Sequence, residues 1–351
     1  MKGKHLIGID LLKIISATLI VFHHYQQDFH CRFPLVNFFG GRYYFGNLVE
    51  LFFIISGFVT LTNYKKDSIF NNLKHKLLRF YPMSIIACLF TLIVESTILY
   101  IDGETSQLAS LWTVKVLVAN LFLLFSGWHP LTMLGINNPT WYLCILIQCF
   151  LVFFLILKLS EKFNLNRLYL FLVSIALAVL MKRLNIIESD TYRGLESFFL
   201  GTVLCEILSF KLNAEPVLEG IRRCYLSVMA IIGCVLALFL LYRYPLLQRL
   251  ILLFGLYPCL IVIAFCSQSN DNRIITTLGR VSFEVFIWHY PFIAFEKLIL
   301  KISGVGDIFR SYWTMFTFTL IVWIISSLLY HYLEKPLQKM LFSTKARRVF
   351  N

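Results

Sequence analysis

The chain has 351 residues, of which 58% are hydrophobic and only 15% are charged, and its mean hydropathy is +0.75. Soluble domains contain about 45–50% apolar and about 25% charged residues, so this composition excludes an ordinary soluble domain and predicts a polytopic membrane protein. The net charge of +13 does not indicate a nucleic-acid partner, because the basic residues lie in short segments between apolar runs, as the positive-inside rule expects.

A membrane-spanning helix needs about 20 mostly apolar residues. The runs that meet this requirement are residues 6–25, 47–64, 80–101, 140–160, 168–182, 193–210, 224–242, 250–267, 280–300 and 312–332. The sequence therefore predicts an all-α polytopic membrane protein with about ten transmembrane helices in one bundle. Residues 1–351 are expected to form a single integral membrane domain.

One further apolar run, residues 112–128, is shorter and contains Lys115 and Asn120. If this run does not cross and the N-terminus is cytoplasmic, about 20 Lys and Arg residues lie inside against about 11 outside. If it does cross, the split is about 15 against about 16, which the positive-inside rule disfavours. We therefore expect a partial or interfacial helix near 112–128, with both termini cytoplasmic.

The first predicted span, residues 6–25, carries Asp10, Lys13, His23 and His24, which are costly when they face lipid. A helix advances about 100° and about 1.5 Å per residue, so Lys13 and His24 share one face about 16 Å apart, with Asp10 one turn before Lys13. Asp10 and Lys13 can neutralise each other at this spacing. A snorkelling helix end is one interpretation, but a single aligned polar face favours a functional interior.

Six segments, in chain order, resemble the motifs of acyltransferase family 3, whose membrane proteins acylate glycans and related acceptors. The segments are Lys13-x₁₀-His24, NLVELFFIISGF (47–58), KLLRFYP (76–82), NPTWYLCILIQCF (138–150), LGRVSFEVFIWHYPFI (278–293) and YHYLEKPLQK (330–339). Any one segment is weak, but together they span nearly the whole chain. The family has Arg where this chain has Lys13 and Lys76, Asp where it has Glu50, and paired Glu where it has Leu146 and Ile147.

The resemblance implies transfer of an acyl group, acetyl above all, to a hydroxyl of a glycan or lipid-linked sugar. It implies acyl-CoA, foremost acetyl-CoA, as a co-substrate rather than a bound cofactor, and it implies no metal. The expected surroundings are the lipid bilayer of a bacterial cytoplasmic membrane.

Acyl transfer to a hydroxyl needs a base, a donor site and stabilisation of the developing oxyanion. His24 is the expected base, because imidazole titrates near neutral pH. Glu50 is expected to orient His24 and fix its tautomer; alternatively, Glu50 and Asn47 only cap the second span. Asp10 and Lys13 complete the expected catalytic set, with Lys13 contacting a pantetheine carbonyl, a phosphate or Asp10.

The family motif also implies a donor-binding set, Lys76, Arg79 and Tyr81, at the cytoplasmic start of the third span. Basic residues there would attract the phosphates of an acyl-CoA, although ordinary positive-inside topology also explains them. The remaining candidates for the acceptor site or pocket each have a packing or interfacial alternative, and they are Ser56, Trp141, Tyr142 and His289.

A different class of function uses the same polar face. A multi-span transporter or flippase would employ Asp10, Lys13 and His24 as a substrate or proton path. The absence of a clear internal repeat argues against that class. A glycan polymerase or ligase and an inactive family member are further alternatives, and the acceptor, the acyl chain and the oligomeric state stay open at this point.

Overall fold

A computed structural model describes residues 6–31, 37, 44–64, 69–128, 132–212, 216–267, 272–305 and 307–346. Over these residues the chain forms helices, with short 3₁₀ and π-helical turns between or within them, and no strand. The α-helices are α1 (Ile7–Phe29), α2 (Leu48–Thr62), α3 (Ile69–Asp102), α4 (Thr105–Leu111), α5 (Val114–Leu121), α6 (Trp141–Phe163), α7 (Arg167–Arg183), α8 (Ser189–Leu212), α9 (Pro216–Arg243), α10 (Gln248–Ile251), α11 (Tyr257–Cys266), α12 (Arg273–Ser303), α13 (Tyr312–Leu329) and α14 (Lys335–Ala346).

Seven segments of the described chain are long and apolar enough to cross a membrane. They are Ile7–Phe29, Phe45–Thr62, Asn71–Asp102, Asn138–Phe163, Gly220–Arg243, Pro245–Cys266 and Tyr312–Leu341. They coincide with seven of the predicted spans and confirm an all-α polytopic membrane protein. The other three predicted spans are also helices: α7 is only 17 residues long, and α8 and α12 each carry several charged residues. That these three also cross stays a prediction.

The described residues group into two compact units. Unit 1 comprises residues 1–19, 38–66 and 148–280, and unit 2 comprises residues 20–37, 67–147 and 281–351, within the limits of the described chain. Helices α1, α6 and α12 contribute residues to both units.

The segment near 112–128 is a partial helix, as predicted. Helix α5 has eight residues and is therefore about 12 Å long, against a hydrocarbon core of about 30 Å. Asn120, the amide within this apolar run, is buried and donates from Nδ2 to the carbonyl of Leu134 at 3.1 Å. Its Oδ1 accepts from the backbone N–H of Ile136 at 2.7 Å. The polar residue thus holds the loop that follows α5.

Helices α2 and α8 of unit 1 approach each other through two glycines. A Cβ on Gly57 would lie 1.9 Å from the carbonyl oxygen of Phe198, and one on Gly201 would lie 2.0 Å from that of Ile54. Only a residue without a side chain allows this backbone contact. Close helix packing is therefore the role of the small-residue segment that begins at Ser56.

Two π-helical turns interrupt the helices, at Leu252–Leu256 and Tyr330–Glu334. Each turn ends two residues before a proline, Pro258 in the first case and Pro336 in the second. Proline has no N–H and its ring clashes with the carbonyl four residues earlier, which here lies inside the wide turn. The prolines thus give a local physical reason for both turns.

Candidate functional site

Asp10 and Lys13, in the first predicted span, form the predicted ion pair. Lys13 Nζ lies 3.1 Å from Asp10 Oδ1, at i,i+3 within the part of α1 that belongs to unit 1. Asp10 is buried and packs on Gly279, where a Cβ would lie 2.4 Å from the Cβ of Asp10. Mutual neutralisation removes much of the cost of placing both charges in a membrane helix.

His24 lies in the second half of α1, among residues of unit 2. Its ring is partly exposed, and its Nδ1 lies 3.0 Å from Oε1 of Gln27, one turn further along the helix. The ring centroid is 5.1 Å from that of His289 and 5.2 Å from that of His23. Unit 2 therefore brings His24 and His289, two of the predicted site residues, into direct contact.

His289 is fully buried, and its tautomer follows from its backbone contact. Its Nδ1 lies 3.2 Å from the carbonyl oxygen of Val285. A carbonyl only accepts hydrogen bonds, so Nδ1 carries the proton and Nε2 is an unprotonated acceptor. This Nε2 is buried and has no hydrogen-bond partner among the described residues.

A proline two residues after His289 shapes the surrounding helix. Pro291 cannot donate to the carbonyl of Ile287, four residues earlier in α12. Asn137, which is buried, donates to that carbonyl instead, with Nδ2 3.1 Å from the oxygen. The amide of Asn137 thus supplies the donor that Pro291 lacks. The carbonyl it bonds belongs to Ile287, two residues before His289.

Unit 2 also holds two buried carboxyl groups, those of Glu284 on α12 and Glu334 in the second π-helical turn. Both carboxyl oxygens of Glu284 and Oε2 of Glu334 are buried with no hydrogen-bond partner in the described chain. Gln338 donates to Oε1 of Glu334 at 2.6 Å and to the carbonyl of Arg79 at 3.4 Å. Buried carboxyl oxygens without a donor are costly, so these two residues are a further polar feature of unit 2 that needs an explanation.

The three predicted donor-binding residues have different surroundings. The side chain of Lys76 is partly exposed and that of Arg79 is exposed. The hydroxyl of Tyr81 instead donates to the backbone carbonyl of Phe122, just after α5. Lys76 and Arg79 thus retain accessible surface for an anion, whereas Tyr81 joins α3 to the end of α5.

Glu50 lies in the first turn of α2, within unit 1, and binds two arginines. Its carboxylate accepts from Arg193 at 2.8 and 3.0 Å and from Arg249 at 3.3 Å. Arg249 also donates to Glu196 at 2.6 Å, and Glu196 accepts from the hydroxyl of Tyr192 at 2.9 Å. Both carboxylates are buried and each is balanced by a guanidinium group.

The structure corrects the expected role of Glu50. The Nδ1 partner of His24 is Gln27, and the carboxylate of Glu50 is occupied by arginines. The alternative that Asn47 caps α2 is also not seen, because its side chain makes no capping hydrogen bond. The physical reason is charge balance, because a buried carboxylate needs a cation beside it. Arg193 and Arg249 supply this charge, although both lie far from Glu50 along the chain.

The remaining candidates divide between accessible and packed side chains. Ser56 and Trp141 are partly exposed, and Trp141 begins α6. Tyr142 is buried and meets Phe286 edge to face, with ring centroids 5.3 Å apart. Tyr142 therefore belongs to the packed interior, and an acceptor contact for it stays a prediction.

Comparison with known protein families finds a match over nearly the whole chain. A family profile described as "Acyltransferase domain", that of acyltransferase family 3, matches residues 6–332. The chain belongs to acyltransferase family 3. The match extends from the start of α1 into the second π-helical turn and therefore includes both histidines and Glu284.

One relative allows a narrower comparison. The chain is 28% identical over 87 residues to "Putative peptidoglycan O-acetyltransferase YrhL" of Bacillus subtilis (strain 168). The match covers 25% of this chain and 13% of the relative's length, so the chain spans only a small part of that protein. No solved structure matches the chain.

Three residues of this acyltransferase 3 chain were not foreseen from the sequence. Gln27 lies at i+3 from His24, the same spacing that predicted the Asp10–Lys13 pair, so helical geometry was a usable signal. Asn137 had a weaker signal, since Pro291 leaves a carbonyl in need of a donor. Arg249 had none, because it contacts a residue 199 positions away.

Proposed function

We propose that the chain is a membrane O-acyltransferase that transfers an acyl group, foremost acetyl, from acyl-CoA to a hydroxyl of a glycan or lipid-linked sugar. Family membership supports acyl transfer as the reaction class. The relative's name supports a glycan such as peptidoglycan as the acceptor and acetyl as the group. The expected location is a bacterial cytoplasmic membrane, which the long apolar helices of the chain would span.

The contact between His24 and His289 is the observation that carries this proposal. A partly exposed imidazole beside a buried one, in a membrane protein, is a costly arrangement without a functional use. A neutral imidazole can accept the proton of an acceptor hydroxyl near neutral pH. Structural packing alone would be met by apolar rings at both positions.

The proposed reaction conserves atoms and charge. His24 removes the hydroxyl proton as the oxygen bonds to the carbonyl carbon of the thioester. The tetrahedral adduct then expels coenzyme A by breaking the carbon–sulfur bond, and the thiolate takes the same proton back from the His24 imidazolium to leave as a thiol. The products are the ester and free coenzyme A.

Lys76 and Arg79 are proposed to bind the phosphates of the donor. Both belong to unit 2, as do His24 and His289, and both are at least partly exposed. An acyl-CoA carries several negative charges, which two neighbouring cations attract and orient. Lys13, paired with Asp10, is proposed to support the first helix rather than to contact the reacting hydroxyl.

The test uses the purified protein in lipid nanodiscs, with acetyl-labelled acetyl-CoA and soluble peptidoglycan fragments or a lipid-linked sugar. His24→Ala is expected to lower transfer at least about a hundredfold, the usual contribution of a general base. His331→Ala is the matched control, because His331 is exposed and bonds the carbonyl of Ser327. Transfer by His24→Ala at the wild-type rate would contradict the proposed base, and label transfer by neither protein would contradict the proposed reaction.

A further inference from the structure

The contact between His24 and Gln27 resembles the orienting contact of a hydrolytic triad, with an amide in place of a carboxylate. Oε1 of Gln27 lies 3.0 Å from Nδ1 of His24, and both residues belong to the last turns of α1. The oxygen of an amide accepts and does not donate. The proton of a neutral His24 is therefore held on Nδ1, and Nε2 is left as the basic nitrogen.

His289 shows the same tautomer by a different route. There the acceptor is the backbone carbonyl of Val285, which no side-chain substitution removes. At His24 the acceptor is the side chain of Gln27, which is exposed and lies one turn further along the helix. Both rings of the pair are thus held with Nε2 unprotonated, one by the helix backbone and one by Gln27.

We propose that Gln27 is a positioning residue that fixes the tautomer and ring orientation of His24 for proton abstraction. This inference rests on the proposed function, since it assigns a role only if His24 is the base. A neutral acceptor orients the ring without adding a negative charge beside it. The imidazolium formed during transfer is then less stabilised than beside a carboxylate, so it releases its proton readily after each turnover.

The experiment compares Gln27→Leu and Gln27→Glu with wild type in the acetyl-transfer assay over a range of pH. Gln27→Leu removes the acceptor and is expected to lower kcat about tenfold, with little change in KM for acetyl-CoA. Gln27→Glu restores an acceptor and is expected to recover most of kcat at high pH. Its negative charge stabilises the imidazolium, so the acid limb of the pH–rate profile moves up by about one pH unit.

The matched control is Gln107→Leu, because Gln107 makes the same kind of i,i−3 side-chain bond, to Glu104, at an exposed position. We expect it to keep wild-type kcat. Full activity of Gln27→Leu, or a Gln27→Glu variant as inactive as Gln27→Leu, would overturn the role of Gln27. These outcomes are distinct from failure of the proposed function, which would appear as full activity of His24→Ala or as no transfer by the wild-type protein.

Discussion

One buried polar cluster in unit 1 and another in unit 2 differ in how their hydrogen bonds are satisfied. In unit 1 the buried carboxylates of Glu50 and Glu196 each bind an arginine, at 2.8 and 2.6 Å. In unit 2 the buried Nε2 of His289 and both carboxyl oxygens of Glu284 have no hydrogen-bond partner in the described chain. Unsatisfied buried groups are rare in native proteins, so each one calls for an explanation. We therefore propose a packing role for the first cluster and a chemical role for the second.

The types of side chain in the two clusters explain the difference. Arg193 and Glu196 lie one turn apart on α8, and Arg249 adds a second guanidinium from α10. Guanidinium groups stay charged even when partly buried, so they balance the carboxylates under all relevant conditions. Unit 2 buries the imidazole of His289 and the carboxyl groups of Glu284 and Glu334 instead, and the protonation of such side chains depends on their surroundings.

The largest effect is expected in the ion-pair network of unit 1, which consists of Glu50, Glu196, Arg193 and Arg249. Glu50→Leu leaves Arg193 without its buried carboxylate, while Arg249 keeps Glu196. We expect the free energy of unfolding to fall by about 3–5 kcal/mol, the usual cost of leaving a buried charge unpaired. Denaturation in mixed micelles, followed by tryptophan fluorescence, measures this change. Glu104→Leu, at an exposed position, is the control. An equal loss of stability in both variants would show that the arginines do not need Glu50.

A smaller effect, on function rather than stability, is expected from the donor-binding cations of unit 2. A Lys76→Gln, Arg79→Gln double variant removes two positive charges that are at least partly exposed. We expect KM for acetyl-CoA to rise about tenfold, with less difference at high salt because screening already weakens the attraction. Steady-state kinetics at two ionic strengths measure it, with Lys115→Gln on α5 as the exposed control. An unchanged KM in the double variant would remove these residues from the donor site.

The smallest expected effect on stability comes from the carboxyl pair of unit 2. Glu284→Gln removes the ionisable group but keeps the shape of the side chain, and Glu284→Leu removes the polar group altogether. We expect either change to alter the free energy of unfolding by less than about 1 kcal/mol, since no compensating cation is left unpaired. The same micelle denaturation measures both variants. A loss as large as that of Glu50→Leu would show that the two units do not differ in this respect.

Local features of the fold and the site could be predicted from the sequence. The helical period placed Asp10 and Lys13 within reach, and the charge balance of the loops around the 112–128 run disfavoured a full span. The pairing of Glu50 with Arg249 could not be predicted, because it joins residues 199 positions apart and depends on tertiary packing. The burial of Tyr142 could not be predicted for a related reason, because a sequence does not show which rings pack against one another, as Tyr142 and Phe286 do here.

The amide of Asn137 and the ring of Pro291 have an evolutionary consequence. The proline removes one backbone donor from α12, and the asparagine returns one to the same carbonyl. A chain that exchanged Pro291 for a residue with an N–H could satisfy the oxygen of Ile287 from the helix backbone and would no longer need the amide. A chain that kept Pro291 and lost Asn137 would bury an unpaired carbonyl close to His289 along the helix. The amide at position 137 is therefore expected wherever the family keeps the proline, although 150 residues separate Asn137 from Ile287.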